Sequence, residues 1–205
     1  FASLAEVVAL AQREGVPVNV SLSCTFGCPM EGEVAASNVL GWVDRFAALK
    51  VQGITLCDTT GMAYPRQVRA LCMAALAAHP GIAFTAHFHD TRAMGLPNTL
   101  AAIDAGIRSL DMSLGGIGGC PYAPGASGNV ATEDVVHLLA CEGFATGVDL
   151  DGLLAAAAEL RRLVQHELAS QLWRAGPRLT RHEPPLDFPE IKARALARDL
   201  SDPLR

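Results

Sequence analysis

Short apolar runs typical of buried strands alternate along this chain with longer stretches in which apolar residues have helical spacing. Five apolar residues share one face of the predicted helix at 34–49, namely Val39, Leu40, Val43, Phe46 and Leu49. The predicted strands cover residues 16–23, 53–58, 82–90 and 109–114. The predicted helices cover residues 4–14, 34–49, 65–78, 95–105, 132–142, 151–172 and 189–200. The pattern therefore predicts an α/β protein.

Each predicted strand is followed by a helix before the next strand begins, which indicates parallel βαβ units. Both a doubly wound sheet and a (β/α)₈ barrel fit this alternation. Thr132 is positioned to cap the helix at 132–142. Prolines cluster after Gly176. We therefore expect one domain over residues 1–175 and a partly disordered C-terminal tail over residues 176–205.

The composition is that of a globular protein, with 50% hydrophobic and 18% charged residues. Net charge is −5 and basic residues are scattered, so nucleic acid is not an expected partner. Apolar runs are too short for a membrane span. Six cysteines are too few for a disulfide scaffold, which favours a reducing compartment, the cytoplasm. Phe1 begins without a signal-peptide pattern, and the absent methionine suggests further residues upstream.

The most specific local pattern is a pair of histidines, His87 and His89, at the end of a predicted strand. Side chains two residues apart on a strand project to the same side. Ligands of parallel α/β folds bind at the carboxyl ends of the strands. The pair therefore favours chelation of one divalent cation, and two hydrogen-bonded histidines in a polar crevice are the alternative.

A glycine- and proline-rich loop over residues 115–129 carries Cys120 near its middle and Asn129 at its end. Glycine allows a backbone to approach a ligand closely and to move, so a functional loop is expected. A flexible surface loop with an incidental cysteine is equally compatible. Asn129 precedes a predicted helix and has an amide oxygen to offer a hard cation.

Two further segments follow predicted strands. Asp58 stands at the same sheet edge as the histidines and is a candidate base, acid or hydrogen-bond partner of a metal ligand, with a capping role as the alternative. Cys24 and Cys28 are conceivable as a zinc clip, but no second pair with metal-binding spacing accompanies them. An active-site loop is the more plausible interpretation of that segment.

Together these segments resemble the 3-hydroxy-3-methylglutaryl-CoA lyase family, over residues 4–175. The His-Phe-His-Asp-Thr sequence at 87–91 is shared with the wider group of metal-dependent barrel lyases and Claisen-type synthases. The sequence Gly-Gly-Cys-Pro-Tyr-Ala at 118–123, continuing through 125–134, is similar to the lyases alone. The segments 27–29, 31–33 and 58–61 also resemble the lyases.

The resemblance implies a (β/α)₈ barrel, of which this chain shows the later four strands. It implies Mg²⁺ or Mn²⁺ held by His87, His89 and Asn129, with a further aspartate ligand on the barrel's first strand, outside this chain. Retro-Claisen cleavage of a 3-hydroxyacyl-CoA to acetyl-CoA and acetoacetate is the implied reaction. Cys120 would deliver a proton to the acetyl-CoA carbanion, and Asp58 would shuttle one near the hydroxyl.

An acyl-CoA is thus the expected partner, with no nucleic acid or membrane, and a homodimer is expected for the full-length form. Three alternatives stay open at this point. The first is a related enzyme acting on a different acyl-CoA, and the second is a synthase, which would lack the cysteine loop. A non-catalytic half-barrel is the third, and it predicts no affinity for a divalent metal.

Overall fold

A computed structural model describes residues 1–119, 125 and 127–197, and the chain divides into two compact units, Phe1–Ala175 and Gly176–Arg205. The strands of the first unit are β1 (Asn19–Leu22), β2 (Gly53–Asp58), β3 (Ala83–Phe88) and β4 (Ser109–Asp111). Its helices are α1 (Ala2–Arg13), α2 (Ala36–Ala48), α3 (Pro65–Ala78), α4 (Gly95–Asp104), α5 (Thr132–Cys141), α6 (Leu150–Val164) and α7 (Gln171–Ala175). A short 3₁₀ helix covers Leu114–Gly116. The second unit contains α8 (Phe188–Leu196), whose residues are all exposed.

The four strands form one parallel sheet in the order β1-β2-β3-β4, which confirms the predicted βαβ organisation. The pairing aligns one residue of each strand in a row across the sheet, namely Ser21, Thr55, Thr85 and Ser109. Because paired residues of parallel strands point to the same face, this row and the residues two positions away share that face.

One face of the sheet forms the core against the helices. Ile54, Leu56, Phe84, Ala86 and Phe88 alternate with the polar row and are buried. The helices contribute apolar stripes such as Val39, Val43 and Phe46 of α2, spaced so that all three face the sheet. Burial of these side chains stabilises the unit by roughly 25 cal/mol per Å² of apolar surface removed from water.

The opposite face is mostly polar, and its residues on β1 and β4 are exposed, whereas those on β2 are buried. Asn19 donates to the Thr55 hydroxyl at 2.9 Å, and the Thr85 hydroxyl donates to Ser109 at 3.0 Å, so polar side chains pair across the strands. Asn19 and Ser109 are exposed. Helices on a single face and strands in unbroken order match part of a (β/α)₈ barrel, whereas a doubly wound sheet carries helices on both faces.

The prediction of one helix over residues 151–172 was wrong. Helix α6 ends at Val164, its C-cap Gln165 has a left-handed φ of 57°, and α7 begins only at Gln171. The intervening chain packs against the glycine-rich loop, because the Ala169 N–H donates to the Gly115 carbonyl at 3.0 Å and Leu168 is buried beside it. Tertiary contact therefore interrupts a segment whose local sequence favours continuous helix.

Thr132 is also not the cap that was expected. It is the first residue of α5, and Ala131 occupies the N-cap position without a side-chain hydrogen bond. The Ser113 carbonyl accepts from the Thr132 N–H at 2.9 Å, so the chain after β4 satisfies the first backbone donor of α5.

Candidate metal and acyl-CoA site

The two predicted histidines lie together at the carboxyl edge of the sheet. His87 is in β3 and His89 follows it directly. Their ring centroids are 5.0 Å apart, and the ring planes are inclined at 76°. Both rings are therefore close enough to bind one ion. This agrees with the prediction that side chains two residues apart on a strand project to the same side.

His89 is buried and held in one orientation. Its Nδ1 lies 2.8 Å from the backbone carbonyl oxygen of Asp58, which can only accept, so Nδ1 carries the proton and Nε2 keeps a free lone pair. Burial lowers the pKa of His89, and the charge of His87 lowers it further, although the bond to Asp58 opposes both effects. A neutral imidazole with a free Nε2 is the form that binds a metal ion.

His87 faces the polar side of the sheet, in one row with Cys57 and Asp111. Its Nδ1 lies 3.1 Å from Oδ2 of Asp111. This contact does not form a hydrogen bond, so Nδ1 is buried without a hydrogen-bond partner. A carboxylate thus stands beside His87 at the distance of an ion pair.

Asn129 joins this edge through backbone pairing. It forms an antiparallel β-bridge with His89, and flanking bonds run from Asp90 N–H to the Gly128 carbonyl (3.0 Å) and from Val130 N–H to the Phe88 carbonyl (3.1 Å). Backbone hydrogen bonds therefore join the end of the glycine-rich loop to the end of β3, where the histidines lie.

One polar atom of the Asn129 side chain forms a hydrogen bond and the other does not. Its Nδ2 donates to the Ile117 carbonyl at 2.9 Å, whereas Oδ1 is buried without a hydrogen-bond partner. A buried carbonyl oxygen without a partner costs about 1–3 kcal/mol. Such an atom, on a residue paired with His89, is suited to a divalent cation, and a mixed nitrogen and oxygen set is compatible with Mg²⁺ or Mn²⁺.

Glycine is required where the loop meets this edge. A Cβ on Gly128, whose φ is +102°, would lie 2.4 Å from the Gly116 carbonyl oxygen. A Cβ on Gly116 would lie 2.9 Å from the Asn129 carbonyl oxygen. The close backbone approach that places Asn129 therefore depends on the absence of side chains.

Asp58 makes two kinds of contact at this edge of the sheet. Its Oδ1 accepts from the N–H groups of Met62 (2.7 Å) and Ala63 (3.1 Å), so it caps the turn after β2. Oδ2 is buried without a hydrogen-bond partner. Burial raises the pKa of Asp58, while the two backbone bonds and the nearby Arg92 and His87 lower it. Because its carbonyl also holds His89, Asp58 links the turn to the histidine pair.

Not every predicted ligand or residue can be located. Across residues 1–119, 125 and 127–197 there is no group of three or more His, Cys, Asp or Glu side chains arranged to hold a metal ion. The zinc clip gains no support, since Cys24 and Cys28 are not joined to one another and belong to no such group. Cys120, the predicted proton donor, lies outside the described residues. Of the predicted metal ligands, the described chain places His87, His89 and the Asn129 amide at this edge of the sheet.

Three polar residues at this edge were not singled out from the sequence. Asp111 faces His87, and Arg92 donates to the carbonyls of Thr60 (3.2 Å) and Gly61 (2.8 Å), joining the loops after β2 and β3. Glu133 is fully buried, and both carboxylate oxygens accept from the Gly115 N–H. Asp111 lay in a predicted strand, but the register that pairs it with His87 is not evident from the sequence.

Comparison with known proteins gives the family. The HMGL-like family model matches residues 1–160. An (R)-citramalyl-CoA lyase of Chloroflexus aurantiacus is 43% identical over 166 residues, which cover 81% of this chain and 52% of that protein. A hydroxymethylglutaryl-CoA lyase of Bacillus subtilis is 40% identical over 161 residues, covering 78% and 54%.

A solved structure agrees with these relatives. The HMG-CoA lyase of Acinetobacter baumannii, in complex with coenzyme A and 3-methylmalate, superposes with a TM-score of 0.85 and 42% identity, over 90% of this chain and 60% of that one. The chain spans about half the length of the curated relatives it matches. In the part of the chain that the structure describes, no helix has the length and apolar character needed to cross a membrane. By sequence and by fold, the chain belongs to the HMGL-like family and forms part of that family's (β/α)₈ barrel.

Proposed function

We propose that this chain carries the metal-bearing part of an acyl-CoA lyase that cleaves 3-hydroxy-3-methylglutaryl-CoA to acetyl-CoA and acetoacetate. The observation that carries the proposal is the buried Oδ1 of Asn129, which has no hydrogen-bond partner and belongs to a residue whose backbone pairs with that of His89, close to His87. The family match supports the reaction class, since the relatives are named as lyases of acyl-CoA substrates.

His87, His89 and the Oδ1 of Asn129 would hold Mg²⁺ or Mn²⁺, and a carboxylate from outside this chain would complete the set, as the family resemblance implies. When bound, the ion polarises the substrate hydroxyl and lowers its pKa. His89 is already in the tautomer that presents Nε2, because the Asp58 carbonyl fixes its Nδ1 proton. Preorganised ligands of this kind do not have to rearrange when the ion arrives.

The cleavage requires two proton movements. The substrate hydroxyl loses its proton as it becomes the ketone of acetoacetate, and the bond between C2 and C3 breaks with its electron pair on C2. The acetyl-CoA enolate then takes up a proton. Asp58 is our candidate for the first movement, since its buried Oδ2 is free of hydrogen bonds and burial raises its pKa.

Cys120 is our candidate for the second proton movement. Support comes from the sequence, because the cysteine lies in the glycine-rich loop whose end is anchored by Gly128 and Asn129 beside the histidines. A thiol at ordinary pKa is protonated at neutral pH and can donate to a carbanion.

A second substrate has specific support. The relative from Chloroflexus aurantiacus is a citramalyl-CoA lyase, and it is 43% identical to this chain. Cleavage of citramalyl-CoA also releases acetyl-CoA, but the second product is pyruvate in place of acetoacetate. The shared chemistry is the same retro-Claisen step on a tertiary alcohol.

The test supplies each CoA thioester to the purified protein containing this chain, with Mn²⁺ or Mg²⁺, and identifies the products by mass spectrometry. Acetyl-CoA with acetoacetate supports our proposal, and acetyl-CoA with pyruvate favours the second substrate. A Cys120→Ser variant is expected to lose at least about a hundredfold in turnover, whereas Cys141→Ser, an exposed cysteine on α5, is the matched control. Absence of both Mn²⁺ binding and acetyl-CoA release would instead support the non-catalytic half-barrel.

The remaining expectations for the whole protein are also proposals. The cytoplasm is our proposed compartment, and the five cysteines of the described chain, none of them in a disulfide, are compatible with a reducing environment. We expect a homodimer, which sedimentation analysis would test.

A further inference from the structure

We propose that Asp111 is a positioning residue for His87, because its carboxylate fixes the proton on Nδ1 and thereby directs Nε2 into the site. The inference rests on the proposed function in that it treats His87 as a ligand. Its own evidence is the contact between β3 and β4, which involves no metal.

The register of the sheet creates this contact. Asp111 is directly opposite His87 in the parallel pairing of β3 with β4, so both side chains project from the same face. Oδ2 of Asp111 lies 3.1 Å from Nδ1 of His87. The carboxylate is 62% exposed and the imidazole 17% exposed, so the aspartate has room to turn and align with the N–H of a ring that neighbours restrain.

Once the Asp111 carboxylate turns into line with Nδ1 of His87, the two histidines are held from opposite sides. His89 uses Nδ1 to bond the Asp58 carbonyl of β2, and His87 meets Asp111 of β4 with its Nδ1. Each ring is thereby left with an unprotonated Nε2. A carboxylate behind a ligating imidazole also raises its basicity, and loss of such partners typically weakens metal binding by about 10–100-fold.

Among the described residues, Asp111 is the carboxylate that makes an ion-pair contact with His87. The Nδ1 of His87 is buried and has no hydrogen-bond partner there, so nothing else in that part of the chain fixes its proton. Without that carboxylate the imidazole is free to place its proton on either nitrogen. An Nε2–H tautomer would point a hydrogen, and not a lone pair, at the cation.

The test reads the tautomer directly in metal-free protein. Long-range ¹H–¹⁵N NMR spectra are recorded on the chain at about pH 8, above the ordinary histidine pKa of about 6.5, with His87→Gln to assign the signals. We expect an Nδ1–H tautomer for His87. Asp111→Leu should shift it toward Nε2–H, whereas Asp111→Asn should preserve it, because the amide oxygen still accepts.

Mn²⁺ affinity is the second readout. Asp111→Leu should weaken binding by about 10–100-fold and Asp111→Asn by less. Asp104 offers a matched control, since its carboxylate is 61% exposed and forms a 3.1 Å ion pair with Arg69 on the outer helices. Asp104→Leu removes the same charge and should change neither readout.

Two results would overturn the inference: an Nε2–H tautomer of His87 in the unaltered chain, or an Asp111→Leu variant with unchanged tautomer and affinity. Failure of the proposed function looks different. In that case the unaltered chain binds no Mn²⁺, while the tautomer of His87 still depends on residue 111.

Discussion

Asn129 and His89 face each other across an antiparallel β-bridge, although one ends a glycine-rich loop and the other ends a strand. The Asn129 amide oxygen is buried without a hydrogen-bond partner, on a residue whose backbone pairs with that of His89. Backbone pairing, and not the side chain's own reach, therefore sets where the third candidate ligand lies.

Asn129→Ala should weaken Mn²⁺ binding by at least about tenfold, because it removes the oxygen ligand and also the bond from Nδ2 to the Ile117 carbonyl. Isothermal titration calorimetry of the chain would measure the change. Asn38→Ala, at an exposed position of α2, is the control and should bind as the unaltered chain does. Equal affinity in the two variants would remove Asn129 from the ligand set.

Gly128→Ala should both destabilise the fold and reduce Mn²⁺ affinity. Its new Cβ would lie 2.4 Å from the Gly116 carbonyl oxygen, a backbone atom that cannot move aside without displacing the loop. Overpacking of this kind costs about 1–3 kcal/mol. The free energy of unfolding, from urea titration, gives the first quantity and calorimetry the second.

Gly147→Ala is the control that separates the steric clash of Gly128→Ala from the cost of a left-handed backbone. Gly147 has a φ of +72°, and a Cβ added there would have no neighbouring atom within 4 Å. Alanine at this position therefore has the conformational cost of a left-handed backbone but no steric clash. It should leave Mn²⁺ affinity unchanged. If both glycine variants lost affinity equally, the close approach of Gly128 to Gly116 would not be the reason.

Cys57 and Cys72 should resist alkylation in the folded chain. Burial raises the pKa of Cys57 to about 11, with the charge of Asp111 adding to the effect, and burial raises the pKa of Cys72 to about 12. The thiolate is the nucleophile, so both thiols stay protonated and unreactive at about pH 8 and ionise only as the pH approaches those values.

Iodoacetamide labelling followed by peptide mass spectrometry checks this prediction. Cys141 is exposed and should be labelled under the same conditions, which provides an internal control. In urea all three should react alike. Rapid labelling of Cys72 in the folded chain would show that the core opens far more readily than its burial indicates.

Asp134→Ala should destabilise the first unit by about 1–3 kcal/mol, because one carboxylate satisfies three donors at the start of α7. Its oxygens accept from the Ser170 hydroxyl (2.8 Å) and from the N–H groups of Gln171 (2.9 Å) and Leu172 (2.7 Å). Urea titration would give the free energy, and hydrogen exchange at Leu172 would locate the loss.

Asp149→Ala is the comparison for that variant. Asp149 is the N-cap of α6 and accepts a single bond, from the Asp151 N–H at 3.1 Å, in an exposed position. Its loss should cost about 1 kcal/mol or less. A larger effect for Asp149 than for Asp134 would contradict the role assigned to the Asp134 carboxylate.

Local pattern was sufficient to identify the four strands and most helices, because strand alternation and helical spacing are properties of neighbouring residues, although β1 and β4 are shorter than predicted. It failed at residues 151–172, where burial of Leu168 against the glycine-rich loop interrupts a segment with strong helix formers. No local signal marks that interruption, since the partner Gly115 lies far away in the chain.

The sequence by itself determined the parallel α/β organisation, the family resemblance and the pairing of His87 with His89, since two residues of one strand share a face wherever the strand lies. Only the tertiary structure decided what surrounds them. Three contacts around the histidines join different segments of the chain. They are the bond from His89 to the Asp58 carbonyl, the contact of His87 with Asp111, and the β-bridge between His89 and Asn129. Such contacts depend on strand register and on loop closure, which are set by packing of the whole sheet.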